Sequence, residues 1–218
     1  MSEALERVRA AAPRLKIFPL ASAVVLPGGA LPLHIFEPRY REMVAHALAS
    51  DGVFAMAQPM PGQERAPAPA LEDIVCAGVV SHTESLPDGR SNLVLVGVAR
   101  ARIIREWPLD KPYREVEAEV LPDASVEATE ETALRQAVWE LVARLPPEVG
   151  QRIAHVTARA HGGLLADVVA AAIMEGAAQR FEVLRELNVS SRLRAVTDEL
   201  LSLVGHLKPE APEGGLLN

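Results

Sequence analysis

The chain has 218 residues, 49% of them hydrophobic and 23% charged, with a formal net charge of −7. That length fits one large domain or two small ones, and it is enough to bury a core without covalent staples. Cys76 is the single cysteine, which excludes an internal disulfide framework and any multi-cysteine zinc or iron–sulfur site. The acidic balance counts against non-specific binding to nucleic acid or anionic lipid.

Residues 1–14 read as an N-terminal extension. Beyond it, short apolar runs broken by Pro and Gly predict strands at Leu15–Leu20, Ala23–Leu26, Leu31–Ile35, Val53–Gln58, Asp73–His82, Ser91–Gly97, Ala99–Trp107 and Tyr113–Leu121. Leu86-Pro87-Asp88-Gly89-Arg90 predicts a hairpin turn, because Asp and Gly take positive φ at little cost. One helix interrupts the strands. Pro38 stands where a first-turn proline belongs, and Tyr40, Met43, Val44, Ala47 and Leu48 form its apolar stripe before Ser50-Asp51-Gly52 ends it. Pro59 to Ala70 reads as an exposed loop.

Near Leu121-Pro122-Asp123 the texture changes to helical periodicity. Leu134, Val138, Leu141, Val142 and Leu145 make one stripe, stopped by Pro146-Pro147. Further stripes are Leu165, Val168, Val169, Ala172 and Ile173, then Phe181, Leu184 and Leu187, then Leu193 to Leu207, with Ser190 or Ser191 as cap of the last. The fold class expected is α+β: a β-rich part over 15–122, a helical bundle over 123–208 and a flexible tail over 209–218. No apolar run approaches the ~20 residues of a membrane span, and no signal-peptide pattern opens the chain, so a cytoplasmic location is expected.

The chemical motifs are sparse. There is no P-loop, no G-x-S-x-G elbow and no H-E-x-x-H helix. Gly28-Gly29 lacks the rest of a dinucleotide fingerprint and reads as a tight turn. Cys76 and His82 share a strand face but would stand roughly 20 Å apart, too far for a thiolate–imidazole pair, so Cys76 reads as a small buried residue. His155 and His161 lack nearby acidic partners, and no metal or cofactor is expected. Arg100, Arg102 and Arg105, with Arg90 near the hairpin, would suit an RNA-binding ridge; the more economical reading is a solvated strand face matched by Glu115, Glu117 and Glu119 on the next strand. Glu37, at a strand-to-helix junction without a partner acid, reads as structural, and Phe36 as a core anchor.

Three blocks together resemble a known family. Ile17-Phe18-Pro19-Leu20, Val25-Leu26-Pro27-Gly28 and Leu31-Pro32-Leu33-His34-Ile35-Phe36-Glu37-Pro38-Arg39-Tyr40 resemble the opening of the N-terminal domain of Lon proteases. The likeness continues through Leu86–Arg90, Lys111-Pro112-Tyr113-Arg114, Leu165-Ala166-Asp167 and the run Leu184 to Leu193, roughly Leu15 to Lys208 in all. The resemblance implies a PUA-like β pseudo-barrel followed by a helical bundle. It also implies a part in recognising unfolded polypeptide, with an AAA+ protease as an expected partner. The Walker lysine and the serine–lysine dyad of the later Lon domains have no counterpart in this sequence, so a stand-alone, non-catalytic polypeptide-binding module is expected: an adaptor or a holder of unfolded segments. PUA-like RNA binding is the alternative. The resemblance, the Pro27-Gly28-Gly29 turn and the apolar residues around it place the expected peptide site at Val24, Val25, Leu26, Pro27, Gly28, Gly29, Leu31 and Leu33.

Overall fold

The computed structural model describes residues 2–126 and 128–207, so the tail expected over 209–218 lies outside the described residues. The chain begins with helix α1 (Glu3–Ala11), started by the Ser2 side chain accepting from the Leu5 N–H and by Glu3 and Glu6 in the first turn. Strands β1 (Leu15–Pro19) and β2 (Ala30–Ile35) follow, then helix α2 (Pro38–Leu48), with Pro38 in its first turn as predicted. Next come β3 (Val53–Ala57), β4 (Ile74–Ser85), β5 (Ser91–Glu106) and β6 (Arg114–Val120). The rest is helical: α3 (Ala128–Val142), α4 (Pro147–Ala158), α5 (Gly163–Ile173), α6 (Ala177–Arg185) and α7 (Val189–His206). The fold is α+β with a mixed six-stranded sheet.

The strand order is β2-β5-β4-β3-β1-β6, and β6 also pairs with β5, so the pairings run from β5 through β4, β3, β1 and β6 back to β5. β1 and β3 are parallel and every other pair is antiparallel. Period-two alternation then divides β1, β3 and β4 between two cores, while in β5 the extra residue Val98, between the partners of Ala77 and Gly78, moves the odd-numbered positions from one core to the other. Leu15 and Ile17, Val53, Ala55 and Ala57, Val75, Ala77 and Val79, Ala99, Ala101 and Val116 pack as one cluster, into which α1 inserts Val8 and Ala11. Their neighbours Phe18, Phe54, Met56, Ile74, Cys76, Leu93 and Leu95 face the other way and pack with Leu134, Leu165, Val169, Phe181, Leu184, Leu193 and Val196. Both faces of the central strands are thus covered, which is why β3 and the first half of β4 read as unbroken apolar runs.

All six strands end by Val120 and α3–α7 follow, yet the helices share a continuous core with the outer sheet face. A buried ion-pair network crosses the same junction. Arg100 on β5 meets Asp167 on α5 through two contacts of 2.6 Å, and its guanidinium also donates to the Leu184 and Val183 carbonyls at 2.8 and 3.0 Å. Arg192 on α7 donates to Asp123 at 2.6 Å and lies 3.4 Å from Asp167. The expectation that Arg100 belongs to a solvated face is therefore corrected: it is 3% exposed, because the helical half covers that stretch of β5. Arg105 does pair outside with Glu117, at 2.6 Å, as expected.

Other elements differ from the sequence reading for local reasons. Ala23–Leu26 is not a strand; it enters a turn in which the Gly29 N–H donates to the Leu26 carbonyl at 2.9 Å. Ser91–Gly97 and Ala99–Trp107 are one strand ending at Glu106, whose register shifts against β4 between Ala77 and Gly78 and between Val80 and His82, and against β6 between Ile103 and Arg105. Helix α4 was hidden because Pro146-Pro147, which stops α3, also starts the next helix with Pro147 in its first turn. The cap of α7 is Asn188, whose side chain accepts from the Ser191 N–H at 2.9 Å.

Candidate functional site

The Leu26–Gly29 turn is built by glycine. Pro27 and Gly28 occupy its centre, Gly28 has φ +77, and Gly28 and Gly29 together oppose Gly97 on β5: the Gly28 N–H donates to the Gly97 carbonyl at 2.8 Å and the Gly97 N–H to the Gly29 carbonyl at 2.9 Å. This is a type II turn running into a bulge whose first residue is left-handed. Helix α5 lies on top of it. A Cβ added at Gly28 would stand 2.8 Å from Val168 and 2.9 Å from Leu164, and one at Gly29 would stand 3.3 Å from Ala171. Val24, Val25, Leu26 and Pro27 are buried, as is Leu33, while Leu31 is half-buried. Of the expected peptide-site residues of the turn, Val24 to Pro27 and Gly29 thus pack between sheet and helices, and Gly28 is exposed beside α5. Of that set, Pro27 lines a smaller cleft with Leu164 and Asp167, and Leu33 reaches a larger open one.

That cleft, of about 510 Å³, lies at the other end of β2. It is lined by Pro32, Leu33, His34 and Phe36 and by Leu20 to Ala23, the segment leaving β1. Gln58 fixes that segment, its side-chain amide donating to the Leu20 and Ala23 carbonyls at 2.7 and 2.9 Å. A proline-rich rim comes from Pro59, Pro67 and Pro69 of the 59–70 loop. This loop is closed by the Pro59–Leu71 bridge, by the Met60 N–H donating to the Ala70 carbonyl at 2.8 Å, and by Arg114 donating to the Pro69 carbonyl at 2.7 Å. Phe18 and Tyr40 form the floor, with ring centroids 4.1 Å apart.

Phe36 is 60% exposed at this cleft, so its assignment as a core anchor is corrected. The reason is strand parity. Leu33 and Ile35 point into the core, so Pro32, His34 and Phe36 point away from it, and the His34 and Phe36 rings stack at 6.1 Å. Charge at the mouth is mixed: Glu37 pairs with Arg39 at 2.9 Å, Arg39 lies 4.6 Å from the Tyr40 ring centroid, and Glu64 and Arg114 stand on the other side. Burial pushes the Tyr40 phenol above its ordinary value, against the pull of Arg39, so it stays protonated and neutral at physiological pH.

The remaining candidates do not assemble into a reaction centre. Cys76 is fully buried, and burial pushes its thiol up to about 12, which removes the thiolate a nucleophile needs. His82 is exposed on the outer half of β4, where its register partner is Val94. His161 lies 3.0 Å from Glu131 and His155 is exposed on α4; among the described residues no group of three or more His, Cys, Asp or Glu is placed to hold a metal ion. No helix among the described residues is long and apolar enough to cross a membrane.

Comparison with known proteins relates the chain to the Lon proteases. The profile of the ATP-dependent protease La (LON) substrate-binding domain matches residues 14–202. The Lon protease of Anaeromyxobacter dehalogenans is 27% identical over 197 residues, covering 85% of this chain and 23% of that protein. The Lon protease of Paraburkholderia phytofirmans is 29% identical over 206 residues, covering 89% of this chain and 25% of that protein. The chain therefore spans about a quarter of the length of these relatives. Among solved structures, the N-terminal domain of the Mycobacterium avium complex Lon protease superposes with a TM-score of 0.70 at 20% identity, covering 86% of this chain and 98% of that one. A Lon N-terminal domain protein from Xanthomonas campestris gives 0.57 at 25% identity, covering 87% and 97%. With the sequence profile and the fold in agreement, the chain belongs to the Lon substrate-binding domain family.

Proposed function

We propose that this chain is a non-catalytic module that holds extended polypeptide segments in the cleft between β2, the segment after β1 and the 59–70 loop. In that reading the strand circuit is a PUA-like pseudo-barrel that carries the cleft, and the helical half braces it. The module would act in the cytoplasm as an adaptor or holder of unfolded chains, delivering them to an AAA+ protease. The observation that carries the proposal is Phe36: a large apolar ring, 60% exposed, at the mouth of a cleft floored by Phe18 and Tyr40. An exposed aromatic beside a preformed apolar recess gains free energy by burial against a ligand side chain. The mixed charges at the mouth, Glu37 with Arg39 and Glu64 with Arg114, suit a polypeptide better than a phosphate backbone, which requires concentrated positive charge.

The test is binding of fluorescein-labelled casein, an extended polypeptide, followed by anisotropy. Wild-type protein is expected to bind with little salt dependence, and Phe36→Asp to weaken binding at least about tenfold, the effect of ~1.4 kcal/mol. Absence of casein binding, or equal affinity in wild type and F36D, would overturn the assignment to this cleft.

A further inference from the structure

Beyond its side chains, the cleft has a wall made of unpaired backbone. β2 is the end strand of the sheet order and, among the described residues, pairs with β5 alone. Which of its backbone groups face β5 follows from the bulge. The Gly97 N–H donates to the Gly29 carbonyl, so Gly29 and Gly97 form a bonded pair. In an antiparallel ladder bonded and non-bonded pairs alternate. Leu31 with Leu95, Leu33 with Leu93 and Ile35 with Ser91 are therefore the bonded pairs, and Ala30, Pro32 and His34 turn their backbone groups away from β5. The sequence agrees, because proline fits within a strand only where its missing N–H would face outward from the sheet.

The outer edge of β2 consequently offers N–H and C=O groups at Ala30, a C=O alone at Pro32, and N–H and C=O groups again at His34. None of them meets a partner among the described residues. Pro32, Leu33 and His34 line the cleft together with the Leu20–Ala23 segment. Donors and acceptors repeated every second residue along a line match an extended main chain. They do not match a helix or a folded domain surface, whose backbone groups are already bonded internally.

Resting on the polypeptide-binding reading above, we propose that the bound segment is held as an added strand on the outer edge of β2, by main-chain hydrogen bonds to Ala30 and His34, with Pro32 as a deliberate gap. Because side chains alternate along a strand, every second residue of the segment faces the floor of Phe18, Leu33 and Tyr40, and the residues between face the side that carries His34 and Phe36. The gap has a physical role. A strand edge with all its donors intact would also pair with a second copy of itself, and a proline within it removes one donor from that self-pairing. Affinity for any one segment is reduced in the same way, and recognition stays independent of sequence because the main chain is common to all polypeptides.

The decisive experiment is residue-resolved amide hydrogen exchange by NMR, free and saturated with casein, combined with Pro32→Ala. In the free protein the Ala30 and His34 amides are expected to exchange fast, while Leu31 and Leu33 are slowed by pairing with β5. Casein should slow His34 and Ala30 by at least about tenfold. P32A restores one donor, and a net hydrogen bond should tighten casein binding by about two- to tenfold. If casein binds but Ala30 and His34 keep their fast exchange and P32A leaves affinity unchanged, strand addition is overturned while binding in the cleft stands. If casein does not bind, both fall together.

Discussion

The two ends of β2 make an instructive pair. At its start, the Leu26–Gly29 turn is flanked by Val24, Val25, Leu31 and Leu33; at its finish, Ile35 and Phe36 run into the α2 stripe that begins at Tyr40. Both stretches are apolar and broken by proline. Yet the first packs against Leu164, Val168 and Ala171 of α5 with only Gly28 of the turn exposed, while the second leaves Phe36 in the open beside an aromatic-floored cleft. The difference lies in what a distant part of the chain supplies. An apolar surface is a binding site only where the molecule does not cover it itself, and the cover for the turn comes from a helix far along the sequence.

The sharpest way to break the contrast is to loosen that cover. Asp167 is the only charged residue in α5 and is wholly buried, with Arg100 at 2.6 Å and Arg192 at 3.4 Å. Burial pushes its carboxyl up and the Arg100 guanidinium pulls it back down. Asp167→Ala leaves the buried Arg100 guanidinium without its anion and Arg192 with Asp123 alone, and removing one partner of a buried pair typically costs about 3–5 kcal/mol. Urea unfolding should show that loss in the midpoint. Arg100→Met with Asp167→Leu, which removes one guanidinium together with the shared carboxylate, should recover part of it.

A smaller effect comes from the anchor at the start of α5. The Glu131 carboxylate accepts from the Gly162 N–H at 2.8 Å, where Gly162 caps α5 at φ +53, and is also bonded by Arg135 at 2.7 Å and His161 at 3.0 Å. The Gly162 N–H is the largest of these influences, and together they lower Glu131 from its ordinary 4.5 to about 2. A carboxylate held low in the folded state contributes stability that is complete above its unfolded value and is lost as pH falls from about 4.5 toward about 2. Unfolding midpoints at pH 7 and pH 3 should therefore fall further in the wild type than in Glu131→Gln, which has no such charge to lose.

These residues also show what the sequence held and what it did not. The apolar runs of β1, β3, β4 and β5 were readable, as were the Asp88-Gly89 hairpin, with Gly89 at φ +80, and the helix beginning at Pro38. Strand parity could not say whether Arg100 faced water or a helix, since both arrangements give the same spacing. A signal was nonetheless present: one aspartate inside Gly-Leu-Leu-Ala-Asp-Val-Val demands a cation if that helix is buried, and Arg100 and Arg192 were the cations to ask about. The cleft was less legible still, because its walls come from β2, the segment after β1 and the 59–70 loop, which no local pattern brings together. Phe36 alone was within reach: counting by twos from the inward Leu31, Leu33 and Ile35 turns it outward.

Phe36 gives the smallest stability effect and the cleanest test of the contrast. A phenylalanine truncated to alanine in a packed core costs about 3–5 kcal/mol, because transfer free energy is lost and a cavity remains. Phe36 has neither liability: it is 60% exposed and its ring contact is with His34 on the same outward face. Phe36→Ala should therefore keep the unfolding free energy within about 0.5 kcal/mol of wild type, as for other surface substitutions. Tyr40, four residues on and 5% exposed against Phe18, is the internal standard, and Tyr40→Ala should destabilise clearly under the same conditions. Equal losses in both variants would show that Phe36 is packed in solution and that the cleft closes over it. A loss confined to Tyr40 would establish that the outer end of β2 displays an aromatic ring at no structural cost, which is the property a surface needs before it can spend that ring on a ligand.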